Sequence, residues 1–182
     1  MIKRIVKRIY GNFNPESHLE YCIRMGAVVG KNFNTSTPDV IDYNWPWLVT
    51  IGDNVSISTN VKILAHDAST KRAGVHTKIG TVVIGDNVWI GSGTIVMCNT
   101  RIGNNVVIGA GSIVNRDLPD NTVCAGNPCR VIGTLEEFKK KHQDNQSTHP
   151  IFRQHKWDEW KNASMEERIA MKEALKDTYG YL

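Results

Sequence analysis

One imidazole in this chain stands where proton chemistry could be done. His66, followed by Asp67, lies at the point where a regular residue spacing breaks down. Its ordinary pKa suits proton removal near neutrality, so it is a candidate general base. A lone histidine is more commonly a solvated or packing residue, and only the position at the break singles this one out. His76, ten residues on, is the competing imidazole and reads first as a loop residue. Two further stretches, IGSGT (90–94) and IGAGS (108–112), leave one surface nearly bare of side chains. A bare backbone lets a flat or extended ligand lie along the chain and reach N–H groups at the corners. Tight corners alone would also call for small residues.

These residues hang on a repeat. Cut into sixes, residues 84–119 read IGDNVW, IGSGTI, VMCNTR, IGNNVV, IGAGSI and VNRDLP. The first position is always branched: Ile84, Ile90, Val96, Ile102, Ile108 and Val114, with the same frame upstream at Ile51, Ile57 and Ile63. A period of six fits neither a helix nor an alternating strand. Each block supplies one short strand and one turn, and Gly, Asn and Asp take the positive-φ corners. Three blocks make a triangular turn of about 18 residues, and stacked turns bury a column of Ile and Val. All nine frame positions are Ile or Val, which argues against a sandwich with coincidental spacing.

The frame is interrupted twice. Val29 to Ile51 is 22 residues, so that coil is irregular, and it holds DYNWPWLVTIGD with two tryptophans around a proline. Ile63 to Ile84 is 21 residues and holds the polar insertion HDASTKRAGVHTK, which leaves the repeat near Ala65 and rejoins near Ile79. A long irregular insertion in a solenoid reads as a functional loop. Outside the repeat, short helices are expected over Ser17–Arg24, over LEEFKKKH behind Thr134, and over MEERIAMKEALKD behind Ser164. In the last of these, Ile169 and Leu175 form the apolar side. Residues 2–10 place Ile2, Ile5, Val6 and Ile9 opposite Lys3, Arg4, Lys7 and Arg8. Packing on its own body or a neighbouring subunit outweighs a membrane-surface reading for so short a segment.

The frame, the VWIG segment (88–91), NPCRVIG (127–133) and the lead-in HLEYCIRMGAVVGKNF (18–33) resemble the hexapeptide-repeat acyltransferases. The nearest group is the sugar, capsular-polysaccharide and maltose O-acetyltransferases. The resemblance implies an all-β solenoid, a left-handed parallel β-helix, although crossovers are generally right-handed. The organisation expected is an N-terminal helical segment (1–26), a β-helix domain (27–133) with loop 66–78, and a C-terminal helical cap or arm (134–182). It implies that His66 is the catalytic base and that acetyl-CoA is the co-substrate, with no metal. Trp89 then borders the active site and Ser92 offers its backbone N–H to the thioester oxygen. Ala110 lies along the pantetheine arm, Asn115 and Arg116 meet the nucleotide end, and Arg130 meets a phosphate. Gly133 replaces a basic residue found in some relatives. The family's acceptor-binding segment does not align, so Asp42 and Asn44 beside the Trp45-Pro46-Trp47 wall stand in for it, with His76 as a further contact. A homotrimer with sites between subunits is implied.

Composition sets the remaining bounds. The 182 residues allow one domain with appendages, and a formal charge of +4 is too weak to argue for nucleic acid. Four cysteines without a CxxC pair point to a reduced, cytoplasmic setting, and Cys98 and Cys124 fall in regular hexads where burial is expected. No apolar run spans a membrane and no signal-peptide core is evident. The expected function is acetyl transfer to a sugar hydroxyl in surface-polysaccharide assembly. Alternatives are an antibiotic or amino-sugar N-acetyltransferase on the same coils, and a structural β-helix scaffold. Serine acetyltransferases carry a large helical domain that this sequence lacks. Six histidines offer no zinc constellation of the carbonic-anhydrase kind. Ice binding would need ranks of threonine, where the outward positions are mixed.

Overall fold

The computed structural model describes residues 16–153, 156 and 159–182. The expected helix over residues 2–10 lies outside the described residues, as does Trp157. Contacts divide the chain into two units, 1–135 and 136–182.

The first unit begins with α1 (His18–Arg24), capped by a reciprocal Ser17–Glu20 box. Short strands follow: β1 (Val28–Val29), β2 (Asn34–Thr35), β3 (Val49–Ile51), β4 (Ser56–Ile57) and β5 (Lys62–Ile63). After β6 (His66–Asp67), α2 (Ser69–Arg72) and β7 (Lys78–Ile79) come β8 (Val82–Ile84), β9 (Trp89–Ile90) and β10 (Ile95–Val96). The run closes with β11 (Thr100–Ile102), β12 (Val107–Ile108), β13 (Ile113–Val114), β14 (Thr122–Ala125) and β15 (Arg130–Thr134). The coil strands fall in three sheets, β1-β3-β8-β11, β2-β4-β9-β12-β14 and β5-β10-β13, and from β8 to β13 successive strands visit them in rotation. Pairing within each of these is parallel; β15 returns antiparallel onto β14, and β6 pairs antiparallel with β7.

Register records the spacing. Between 82 and 114 partners stand 18 apart, as in Val82↔Thr100, Trp89↔Val107 and Ile95↔Ile113. Across the insertion the offset is 33 (Ile51↔Ile84), and below it 22 (Val29↔Ile51). All nine frame residues are at most 3% exposed. The fifth positions Val88, Thr94, Thr100, Val106, Ser112 and Leu118 are buried with them.

The corners explain the polar half of the repeat. Asn32, Asn54, Asn87, Asn105 and Asn121 all take φ between 55° and 59°, which asparagine tolerates better than other side chains. Their amides form one continuous ladder, each Nδ2 donating to the next Oδ1 at 2.9–3.1 Å. A Cβ on Gly91 would stand 2.5 Å from the backbone nitrogen of Ala110, so only glycine lets these rungs approach. Cys22, Cys98, Cys124 and Cys129 are free and buried. Burial pushes the thiols of Cys22, Cys124 and Cys129 above the ordinary range.

The second unit carries most of α3 (Leu135–Asn145) and all of α4 (Met165–Ala174), the latter capped by a Ser164–Glu167 box. Ile169, expected on the apolar side of α4, is instead 61% exposed. It lies two residues, about 200° of helical turn, from Met171. Met171, Ala174 and Glu167 line the small cavity against Phe152 and Trp160. No helix among the described residues is long and apolar enough to cross a membrane.

Candidate active site

The two interruptions of the repeat meet at one place. In the 22-residue coil, an isolated bridge joins Ile41 to Ile63 and sets Asp42 beside the point where the next coil breaks off. Asp42 is 6% exposed and its carboxylate is used three times. One oxygen accepts the Asn44 N–H at 3.0 Å. The other accepts the Ala65 N–H at 2.9 Å and meets His66 Nδ1 at 2.5 Å. An ionised carboxylate only accepts, so in the neutral ring Nδ1 carries the proton and Nε2 the lone pair.

The indole of Trp45 covers one side of the imidazole, ring centroids 5.3 Å apart and 23° from parallel. Trp45 packs on the buried core, and Pro46 opens the 3-10 turn Pro46–Leu48 behind it. The His66 side chain keeps 27% exposure, so the ring is fixed on one side and open on another.

Asp42, expected from the sequence beside the acceptor, is held beneath the histidine. Its side chain is 2% exposed and fully occupied beneath the histidine. Asn44 is exposed beside it and contributes its backbone N–H to Asp42. Asp67 accepts from the Ser69 N–H at 2.9 Å, and hydrogen bonds from Ser69 hold its carboxyl below the usual range. It stiffens the insertion rather than orienting His66. That insertion is an antiparallel hairpin, with His66 opposite Ile79 and Asp67 opposite Lys78, carrying α2 at its tip. His76 is exposed, and its carbonyl accepts from Thr70 Oγ1 at 2.8 Å. No hydrogen bond or ring contact joins it to His66 among the described residues.

The other sequence candidates lie on the later coils, on or just beyond strands of more than one sheet. Trp89 is 50% exposed, outward from β9 between Ser56 and Val107. Ser92 is exposed on the turn beyond it, its hydroxyl 2.7 Å from Ser58 Oγ and 3.2 Å from Thr59 Oγ1. Its carbonyl accepts from Gly111 N–H at 2.8 Å, which stacks the IGSGT turn on the IGAGS turn where Ala110 is exposed. Asn115 and Arg116 are exposed after β13. Arg130 is exposed on the β14–β15 hairpin and donates to the Cys129 carbonyl at 2.8 Å. Ser58 and Thr59 were missed because their partner is 34 and 33 residues away, across the insertion.

A histidine aimed by a buried aspartate, and a rank of nearly bare turns on the later coils, invite comparison with known proteins. The bacterial transferase hexapeptide (six repeats) profile matches residues 81–116. Galactoside O-acetyltransferase of Escherichia coli (strain K12) is 42% identical over 149 residues, covering 78% of this chain and 70% of that protein. YvoF of Bacillus subtilis (strain 168) is 36% identical over 114 residues, covering 62% of this chain and 63% of its own length. A maltose O-acetyltransferase structure from Clostridium difficile 630 aligns with a TM-score of 0.49 and 34% identity, over 72% of this chain and 83% of that one. The chain belongs to the hexapeptide-repeat acetyltransferase family.

Proposed function

We propose that this protein is an acetyl-CoA-dependent O-acetyltransferase acting on a sugar hydroxyl, built on a left-handed parallel β-helix. The rotation of strands through three parallel sheets supports that architecture, and family membership supports the handedness. The observation that carries the chemistry is the His66–Asp42 pair, in which a carboxylate with 2% side-chain exposure fixes the imidazole tautomer.

In this reading Nε2 of His66 takes the proton from the acceptor hydroxyl as its oxygen attacks the thioester carbonyl. Asp42 stabilises the imidazolium that results. The oxyanion is held by a backbone N–H at Ser92. Collapse expels the thiolate of coenzyme A, which recovers the proton from the imidazolium, and the acetyl ester leaves. No covalent acyl-enzyme forms, in keeping with four buried thiols. The carrier lies over the bare turns at 90–94 and 108–112, bordered by Trp89, Ser92 and Ala110. Asn115, Arg116 and Arg130 meet its nucleotide end.

His66 stands on the hairpin that leaves the coils, and the carrier residues stand on the coils that follow it. A homotrimer with each site between adjacent copies brings the two sets together, and its cleft supplies the concavity a single convex rod lacks. The setting that fits is surface-polysaccharide assembly in the cytoplasm. Thiol release from acetyl-CoA with a panel of sugars tests the chemistry. His66→Ala is expected to slow it about 10²–10⁴-fold, the usual contribution of a general base, and a loss of only about 2-fold contradicts the reading.

A further inference from the structure

A cavity of about 370 Å³ opens beside the His66–Asp42 pair, with Asp42 itself on its boundary. Val40, Ile41, Ile63 and Leu64 give it an apolar lining. Tyr43 stands at its edge, its ring stacked on Tyr21 at 4.4 Å and 7°, yet still 56% exposed. Lys62 and Asp39 add an ion pair at 2.5 Å whose two side chains remain 40% and 61% exposed. Along residues 61–66, Val61, Ile63 and Ala65 are fully buried while Lys62, Leu64 and His66 are half-exposed. The ion pair and the catalytic imidazole therefore share the outer side of one short run of chain. Four residues span no more than about 14 Å even when fully extended, a distance two linked pyranose rings can bridge.

The chemistry of the lining narrows the occupant. A held, half-exposed aromatic ring suits the C–H face of a sugar. A carboxylate and an ammonium side by side suit neighbouring hydroxyls, which both donate and accept. An acyl chain would leave the ion pair without a role, and a phosphate would be opposed by Asp39.

We propose that this cavity is a second sugar subsite and that the acceptor is at least a disaccharide. One ring presents its hydroxyl to His66, and the linked ring rests on Tyr43 with its hydroxyls on Asp39 and Lys62. This rests on the sugar-acetyltransferase reading and extends it to acceptor length.

The test pairs disaccharides with their component monosaccharides, lactose with galactose and maltose with glucose among them, in thiol release from acetyl-CoA. The wild-type protein is expected to favour a disaccharide by about 10-fold or more in kcat/KM, and Tyr43→Ala and Lys62→Met each to remove most of that advantage. The same disaccharide titrated into His66→Ala protein by calorimetry should bind saturably, and binding should weaken about 10-fold with Tyr43→Ala added. Turnover without a disaccharide preference, or a preference that survives both substitutions, overturns the subsite and leaves the acetyltransferase reading standing. Tyr43-dependent disaccharide binding without any acetyl-CoA-dependent turnover has the opposite meaning: the subsite stands and the acetyltransferase reading fails.

Discussion

Residues 82–118 and residues 41–80 belong to the same unit and obey different rules. In the first stretch the offset between stacked strands is 18 as far as Val114, each coil repeating the one below it. In the second it is 22 and then 33, and the chain leaves its sheets for an antiparallel hairpin and a four-residue helix. The regular stretch holds six of the nine frame residues and, at Asn87 and Asn105, the middle of the asparagine ladder. The irregular one holds the buried carboxylate, the imidazole it aims, the tryptophan that covers the ring, and the adjoining cavity. Repetition stacks identical surfaces and cannot by itself place a unique side chain. The two departures from the period put Asp42 under His66, and they can do so because the coils on either side keep the backbone still.

If that division is right, substitutions of the inward-facing residues of the regular coils should act on stability, and substitutions of Asp42 and His66 on rate. Ile90, fully buried in the frame, gives the largest stability effect. Ile90→Ala should lower the free energy of unfolding by about 2–5 kcal/mol in denaturant titration. Asn87→Ala should cost less, about 1–2 kcal/mol, because alanine is strained at φ 56° and the amide ladder is cut on both sides. Asn87→Gly should recover part of that loss by relieving the strain. Val75, an aliphatic residue of the insertion with 58% exposure, marks the small end of the scale. Val75→Ser should stay within about 0.5 kcal/mol of the parent. A cost at Val75 close to that at Ile90 would erase the contrast between frame and interruption.

The frame was legible because a six-residue period needs no knowledge of what packs where. Nine branched residues, the asparagine corners and the capping residue Ser164 declare their roles locally. The break at Ala65 was legible for the same reason, and it drew attention to His66. The partner of His66 was not. Asp42 lies 24 residues upstream in a coil whose length follows no rule, so its register against Ala65 depends on the Ile41↔Ile63 bridge. Nothing local distinguishes an aspartate turned inward from one turned outward, so the contact of Asp42 with His66 could not be read from the sequence. The cluster of Ser58, Thr59 and Ser92 was hidden by an offset of 33, and the exposed face of α4 by a helix whose apolar residues run nearly all the way round.

The central claim is that Asp42 acts on the reaction through His66, and a double-mutant cycle addresses it most directly. Thiol release from acetyl-CoA would be measured for the parent, Asp42→Asn, His66→Ala and the combined variant, with melting temperatures as a control on folding. Residues that work as one unit are not additive. Asp42→Asn should slow the reaction by at least about 10-fold, and the double variant should fall within about 2-fold of His66→Ala alone. A double variant slowed by the full product of the two single effects would mean that the aspartate and the histidine act independently, and the account would be wrong.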